Sequence, residues 1–289
     1  MKTKTIILFR KQGQLANRLI QFAHVMAFAR AHNYRVIHLA FYHYRHYFIQ
    51  TEKRIFASFP NNGIKLYCPI ILNKLFYLFL DRVYKYIINL DNRLVKSIVY
   101  KNEEAISLLE DYNIPDLKSR FIAIDGWLIR DFSNLTKYSD EIKAYFKIKP
   151  VYKKNIEDFM QPLKDYTCVA VHIRRGDYKI FLYGKYFFSL EVYKKYMFEF
   201  SNLINNPKIK YIIFSNEKTE IDFFTPFSAI AGPGNTIEDL YCMAQCDYIM
   251  GPPSSFSIWA SFYGKKSLYQ ITDPSKHLSL RDFNICECL

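Results

Sequence analysis

Short apolar runs recur along this chain, each closing on a glycine or polar turn and leading into residues whose apolar positions return every three or four places. The first instance sets the pattern. Thr5–Phe9 reads as a strand, Lys11-Gln12-Gly13-Gln14 as a turn, and Leu15–Ala31 as a helix with Leu15, Leu19, Phe22, Ala23, Met26 and Ala29 at helical spacing. Tyr34–Leu39 supplies the next strand. Strand, helix, strand in that order argues for a parallel sheet. Phe121–Asp125 is a further strand, and the succession resumes with Cys168–Ile173, Tyr211–Phe214, Asp247–Met250 and Ser267–Ile271. The expected class is therefore α/β. A chain of 289 residues has room for two domains, and the lysine-rich Lys149-Pro150 segment is the expected boundary, giving 1–150 and 151–289.

Between Ile70 and Tyr100 the apolar positions Leu72, Leu75, Phe76, Phe79, Val83, Ile87, Leu90, Leu94 and Ile98 keep a period of three to four, which predicts one or two helices. Lys74, Arg82, Lys85, Arg93 and Lys96 outnumber Asp81 and Asp91 there, so the segment is basic as well as amphipathic. Such a face suits an anionic membrane surface. A helix packed on the sheet with solvated lysines fits the same pattern.

Hydrophobic residues at 50% and charged residues at 23% exclude a disordered or low-complexity chain. The net charge of +13 favours anionic partners: nucleic acid, anionic lipid or a phosphorylated small molecule. Cys68, Cys168, Cys242, Cys246, Cys286 and Cys288 are too scattered for a disulfide scaffold and lack zinc spacing, so reduced thiols in a cytoplasmic protein are expected. The N-terminus has no secretory h-region, and no window reaches ~18 uninterrupted apolar residues. A soluble or peripheral protein is the expectation.

Ligands of open α/β sheets bind beyond the carboxyl ends of the strands, so the residues that follow each strand carry the most information. His172-Ile173-Arg174-Arg175-Gly176-Asp177-Tyr178 sets two guanidiniums at a strand end, a fork suited to bidentate phosphate recognition. An arginine paired with Asp177 on a surface loop fits equally well. Gly251–Ala260 brings hydroxyls and free N–H groups to a helix start, which serves a phosphate or an ordinary N-cap. Phe214-Ser215-Asn216-Glu217 can pair with a base or ribose edge, or simply turn. Gly13 lets backbone approach a ligand while Asn17 presents an amide, yet a full G-x-G-x-x-G is missing. No Asp-x-Asp occurs, so a bound diphosphate must be neutralised by positive side chains and helix dipoles. His43 and His46 could act as ligands or bases, or could stack within their aromatic stretch.

Taken together, GQLANRLIQFAHVMAFA, VHIRRGDY, FSNE and NTIEDLYCMAQCDYIMGPPSSFSIWASFYG resemble the α1,2-fucosyltransferase family, within the wider group of α1,2-, α1,6- and protein O-fucosyltransferases. The resemblance implies a GT-B fold, two Rossmann-like domains with parallel sheets facing a cleft. The N-terminal domain would take the acceptor side and the C-terminal one would bind the GDP-sugar. It implies inverting transfer of L-fucose from GDP-fucose to a glycan acceptor, at the 2-hydroxyl of a galactoside, with no cofactor and no metal. It assigns catalysis to Arg174, Arg175 and Asn17. Donor binding falls to Gly13, His172, Asp177, Ser215, Asn216, Glu217, Asp239, Ser254, Ser255, Phe256 and Ser257. His43 and His46 are the acceptor-side candidates, and acceptor specificity is expected within residues 45–165. Arg18, where the family often has glutamine, receives no role. A lipid-linked acceptor at the inner face of an anionic membrane would suit the basic helical segment, and nucleic acid is not an expected partner. A related transferase using another nucleotide sugar, a basic nucleic-acid-binding protein and an inactive GDP-sugar-binding module remain the competing readings.

Overall fold

The computed structural model describes residues 3–61, 70–87, 89–100, 106–107, 114–204, 208–218 and 221–287. The chain divides into two compact units, Met1–Lys149 and Pro150–Glu287. Each is an α/β unit built on a mostly parallel sheet.

In the first unit, β1 (Thr5–Leu8) leads through α1 (Leu15–His32) to β2 (Arg35–His38), and two 3-10 turns, Leu39–His43 and Arg45–Tyr47, follow. Then come β3 (Ala57–Phe59), α2 (Ile70–Ile87), β4 (Val95–Val99), β5 (Ile106–Ser107), β6 (Phe121–Asp125), β7 (Ile129–Arg130), α3 (Phe132–Lys137) and α4 (Ser139–Tyr145). The sheet order is β3-β2-β1-β6-β4, with only β3 antiparallel to its neighbour. Apolar residues occupy most faces of α1, which buries every residue from Leu15 to Ala29 except Asn17. Such a helix belongs to a core and not to a surface. It ends where Asn33 takes a left-handed conformation (φ 57°) and donates its N–H to the Ala29 carbonyl, a left-handed cap. Trp127 is partly exposed, with the Arg130 guanidinium 5.3 Å from its ring centre.

The segment 70–100 departs from its helical periodicity. The helix stops at Ile87, and Val95–Val99 is a strand paired in parallel with β6, which buries Ile98 in the sheet. The cause is local. The Asn92 side chain accepts the N–H groups of Leu94 and Val95 at 2.8 and 2.9 Å, an Asx turn that breaks a helix, and the β-branched Val95, Ile98 and Val99 then favour a strand.

The second unit opens with α5 (Pro150–Met160), its proline at a favoured first position. It continues through β8 (Thr167–Ile173), α6 (Leu190–Leu203), β9 (Ile209–Ser215), β10 (Ala229–Ala231) and α7 (Thr236–Met243). The last elements are β11 (Tyr248–Gly251), α8 (Ser255–Gly264), β12 (Ser267–Gln270) and β13 (Asn284–Ile285). The sheet order is β10-β9-β8-β11-β12-β13, parallel throughout except for β13. Residues 168–173 of β8 are all buried, as expected of a parallel strand covered on both faces. Val169, Val171, Tyr193, Tyr196, Met197, Phe200, Tyr211 and Ile213 form its core on one side. Trp259 of α8 is fully buried.

Cys168, Cys242 and Cys246 are buried free thiols and Cys286 is partly exposed, while Cys68 and Cys288 lie outside the described residues. Burial pushes the Cys168 thiol up to about 11. Among the described residues no helix is long and apolar enough to cross a membrane.

β8 and β11 approach unusually closely at their carboxyl ends. A Cβ on Gly251 would stand 2.5 Å from the His172 carbonyl oxygen and 2.9 Å from its Cβ. Gly251→Ala must therefore part the two strands. It should cost about 1–3 kcal/mol, the usual range for overpacking, read as a lower urea midpoint; an unchanged midpoint would refute the close approach.

Candidate active site

β8 is the first strand of its unit and lies in mid-sheet, with β9 and β10 on one side and β11 and β12 on the other. Successive connections thus leave in opposite directions from the carboxyl ends of β8 and β11. Such a switch point is where open α/β sheets hold ligands. A cavity of about 490 Å³ lined by residues including Glu157, Gln161, Cys168 and Asp247 lies by contrast at the amino-terminal edge of the same strands.

The switch point carries the arginine pair. Arg174 donates to the Asp177 carboxylate at 2.8 Å, and its guanidinium lies 5.6 Å from the Tyr178 ring centre. The Arg175 backbone N–H donates to the Asn216 side chain at 3.1 Å, while its guanidinium packs 5.0 Å from the Phe187 ring centre. Asn216 also reaches Asp177 at 3.5 Å. The Nε groups of both arginines are buried and meet no hydrogen-bond partner among the described residues. Two buried cationic donors left unmatched form a cradle for an anion.

The second wall is the turn from β11 into α8. Ser254 caps the helix by accepting the Phe256 N–H at 3.3 Å, and Ser257 donates back to the Ser254 carbonyl at 3.1 Å. Both serines are buried; Ser255 and Phe256 are partly exposed. The two walls are tied together. Tyr178, next to the arginine loop, donates its hydroxyl to the Pro253 carbonyl at 2.6 Å, and the His172 ring lies 5.4 Å from that of Phe256. His172 is buried, and desolvation, followed by the Arg174 charge, lowers its pKa to about 3. It is a neutral imidazole at any ordinary pH.

Ser215 accepts the Glu217 N–H at 3.1 Å beside Asn216, so these three close β9 as a tight polar turn. Asp239, in the first turn of α7, accepts the Gly234 N–H at 2.8 Å and orders the loop after β10. Burial raises its pKa to about 6. The structure thus brings together His172, Arg174, Arg175, Asp177, Asn216, Ser254 and Phe256, with Asp239 forming a separate contact. Arg174 is the arginine that pairs with Asp177 and Ser254 is the N-cap of α8, so the ion-pair and cap alternatives that the sequence left open are both realised.

The remaining sequence candidates belong to the first unit. Gly13 has φ +60°, in the region open to glycine, and a Cβ there would collide with the Asn17 side chain. Asn17 stands in the first turn of α1, the one residue of Leu15–Ala29 outside the core. Arg18 gains a structural role: it is buried, donates twice to the Gly13 carbonyl at 3.2 and 3.0 Å and once to Ala40 at 2.8 Å, and lies 5.0 Å from the Tyr44 ring centre. It ties the glycine turn after β1 to the 3-10 turn after β2. His43 stacks on Tyr42 at 4.1 Å, and burial, then Lys11, Arg18 and Lys74, lower its pKa to about 4. Burial and the charges of Lys149 and Arg45 lower His46 as well. Rings held neutral in this way hydrogen-bond hydroxyls but are weak bases at neutral pH. Asp125, closing β6, was not singled out by the sequence: it accepts Gln12 at 2.8 Å and the Tyr84 hydroxyl at 3.2 Å, and Arg10 lies 3.7 Å away. Among the described residues no group of three or more His, Cys, Asp or Glu could hold a metal ion.

Solved structures of fucosyltransferases share this arrangement of two mostly parallel α/β sheets, the GT-B fold. The fucosyltransferase NodZ from Bradyrhizobium is 14% identical with a TM-score of 0.56, over 94% of this chain and 96% of that one. Arabidopsis thaliana FUT1, as a variant in complex with GDP, is 11% identical with a TM-score of 0.57, over 94% of this chain and 72% of that one. POFUT1 in complex with GDP-fucose is 12% identical with a TM-score of 0.51, over 90% of this chain and 94% of that one. No curated protein sequence matches the chain. Residues 93–277, well over half of the chain, match glycosyl transferase family 11, and the chain belongs to that family of fucosyltransferases.

His38, at the end of β2, is buried like His172, and desolvation lowers its pKa to about 3. Both rings are neutral when folded but take up protons once unfolded, near the ordinary 6.5. Stability is therefore intact above pH ~6.5 and falls as pH drops toward ~3, by about 1.4 kcal/mol per pH unit for each histidine. Urea titrations between pH 7.5 and 5 read that slope, and His172→Gln should remove one histidine's share of it; an unchanged slope in that variant would contradict its burial.

Proposed function

We propose that this chain is an inverting, metal-independent α1,2-fucosyltransferase that moves L-fucose from GDP-fucose to the 2-hydroxyl of a galactoside in a glycan acceptor. The observation that carries the reading is the pair of arginines with unmatched buried Nε groups, at the switch point and beside the N-terminus of α8. The diphosphate lies in that cradle, on Arg174, Arg175 and the N–H groups behind Ser254 to Ser257. Asn216, with Ser215 and Glu217, reads the nucleoside, and Asp239 supports the loop beside it. His172 is a neutral packing and hydrogen-bonding partner. Asn17, after the Gly13 turn, takes part in catalysis, and His43 and His46 serve acceptor hydroxyls.

As the bond from fucose C1 to the β-phosphate oxygen breaks, its electron pair passes to GDP, and the negative charge that grows there is met by the two guanidiniums. The acceptor hydroxyl oxygen forms the new bond at C1 from the opposite face, which inverts it, and its O–H bond breaks with the proton passing to water. Each such donor contributes about 10²–10³ in kcat. Arg174→Ala and Arg175→Ala should each lower turnover by that factor or more, with circular dichroism and urea midpoint close to wild type. Full turnover in both variants would overturn the assignment. Calorimetry with EDTA present should give GDP-selective binding over UDP, dTDP and ADP; preference for another nucleotide would change the donor, and no nucleotide binding would return attention to the basic surface.

The free buried thiols support a cytoplasmic site of action, and α2 supports contact with the inner membrane face. Ile71, Leu72, Leu75, Phe76, Leu78 and Phe79 are exposed on it together with Lys74, Arg82 and Lys85. Apolar side chains flanked by cations suit an anionic bilayer carrying a lipid-linked acceptor. Vesicles containing anionic lipid should sediment the protein at low salt, and Phe76→Ser with Phe79→Ser should weaken this. Failure of the wild-type chain to sediment removes the membrane from the scheme.

A further inference from the structure

Beyond Arg175 the chain makes two 3-10 turns, Gly176–Lys179 and Phe181–Gly184, and the second does what few loops do. Ile180, Phe181, Leu182 and Tyr183, four large apolar residues in succession, all face solvent, with Ile180 83% exposed and Tyr183 entirely so. Leu182 (φ 46°), Tyr183 (φ 56°) and Gly184 (φ 78°) are consecutive left-handed residues. For leucine and tyrosine that conformation is unfavourable, since the Cβ crowds the following carbonyl. An exposed apolar cluster and a run of backbone strain each mark a segment kept for binding, and here they coincide.

The loop is fastened to the arginine cradle at both ends. Phe181 packs 5.2 Å from Tyr178, whose ring also faces Arg174 and whose hydroxyl reaches Pro253. At the far end the Phe187 N–H donates to the Gly184 carbonyl at 2.9 Å, and the Phe187 ring receives the Arg175 guanidinium. An occupant of the loop therefore lies next to the anion cradle without competing for its cations. Its chemistry follows from the surface. Tyr183 and Leu182 offer an apolar face with one phenolic hydroxyl, and the exposed Lys179 and Lys185 flank it with donors. A pyranose ring has the complementary form, C–H groups on one face and hydroxyls around the edge.

We infer that residues 180–185 form the platform on which the acceptor saccharide rests, with Tyr183 and Leu182 as specificity-determining residues. The inference rests on the fucosyltransferase reading above and moves part of acceptor recognition out of residues 45–165, where the sequence led us to expect it.

The test uses lactose as the probe, with GDP-fucose as donor. Tyr183→Ala should raise the KM for lactose about tenfold and leave the dissociation constant for GDP, measured by calorimetry, as in wild type. Leu182→Gly, which removes the left-handed strain, should keep or raise the urea midpoint while also raising the lactose KM. Unchanged lactose kinetics in both variants would overturn the platform, as would a matching loss of GDP affinity, which would make the loop a nucleotide-stacking element. If the GDP-loaded wild-type chain shows no lactose signal by saturation-transfer NMR, the galactoside platform falls while GDP binding still decides the donor reading.

Discussion

Where β8 and β11 end, their backbones stand too close for any side chain to fit between them, and Gly251 is the residue that permits it. That approach puts the arginine loop after one strand within hydrogen-bonding range of the helix start after the other. Tyr178 bridges to Pro253, and the His172 ring packs near Phe256, only because the two strand ends are side by side. Sheet order alone would create a crevice there. The missing side chain sets its width.

Within this frame, charge is arranged before any ligand arrives. Arg174 is already oriented by Asp177, and Arg175 is steadied by the Phe187 ring and by its own N–H on Asn216. The Asp177 side chain is about half exposed, so the ion pair adds little to stability. Its effect is to hold the fork in shape, which under the proposed function lowers the side-chain entropy lost when the diphosphate binds. In the first unit Arg18 does the reverse. It is buried among carbonyls and rings, and its charge serves the fold by joining two turns.

Most of the sheet was legible because parallel strands covered on both faces are continuous apolar runs, and β8 is the clearest case. The place of the arginine pair was legible because it directly follows a continuous apolar strand run, but the same residues fitted a surface ion pair equally well, and Arg174 does pair with Asp177. β4 was not: Leu94 and Ile98 continue the helical spacing of α2, and only the Asn92 side chain, accepting two N–H groups, turns the chain out of it. Arg18 escaped because its partners are backbone carbonyls 5 and 22 residues away, which no side-chain pattern announces. The Leu182–Tyr183 conformation escaped because neither residue favours a positive φ, so the sequence offers no glycine or asparagine to announce it.

The two tryptophans of the chain fall one to each unit, and into opposite environments. Trp127 sits in partial contact with water beneath Arg130, whereas Trp259 of α8 is sealed in the core. The units thus carry separate emission signatures, one already red-shifted by solvent and one blue-shifted by its apolar surroundings. Loss of the blue component reports melting of the second unit alone, so a stepwise denaturation can be resolved optically, without labels.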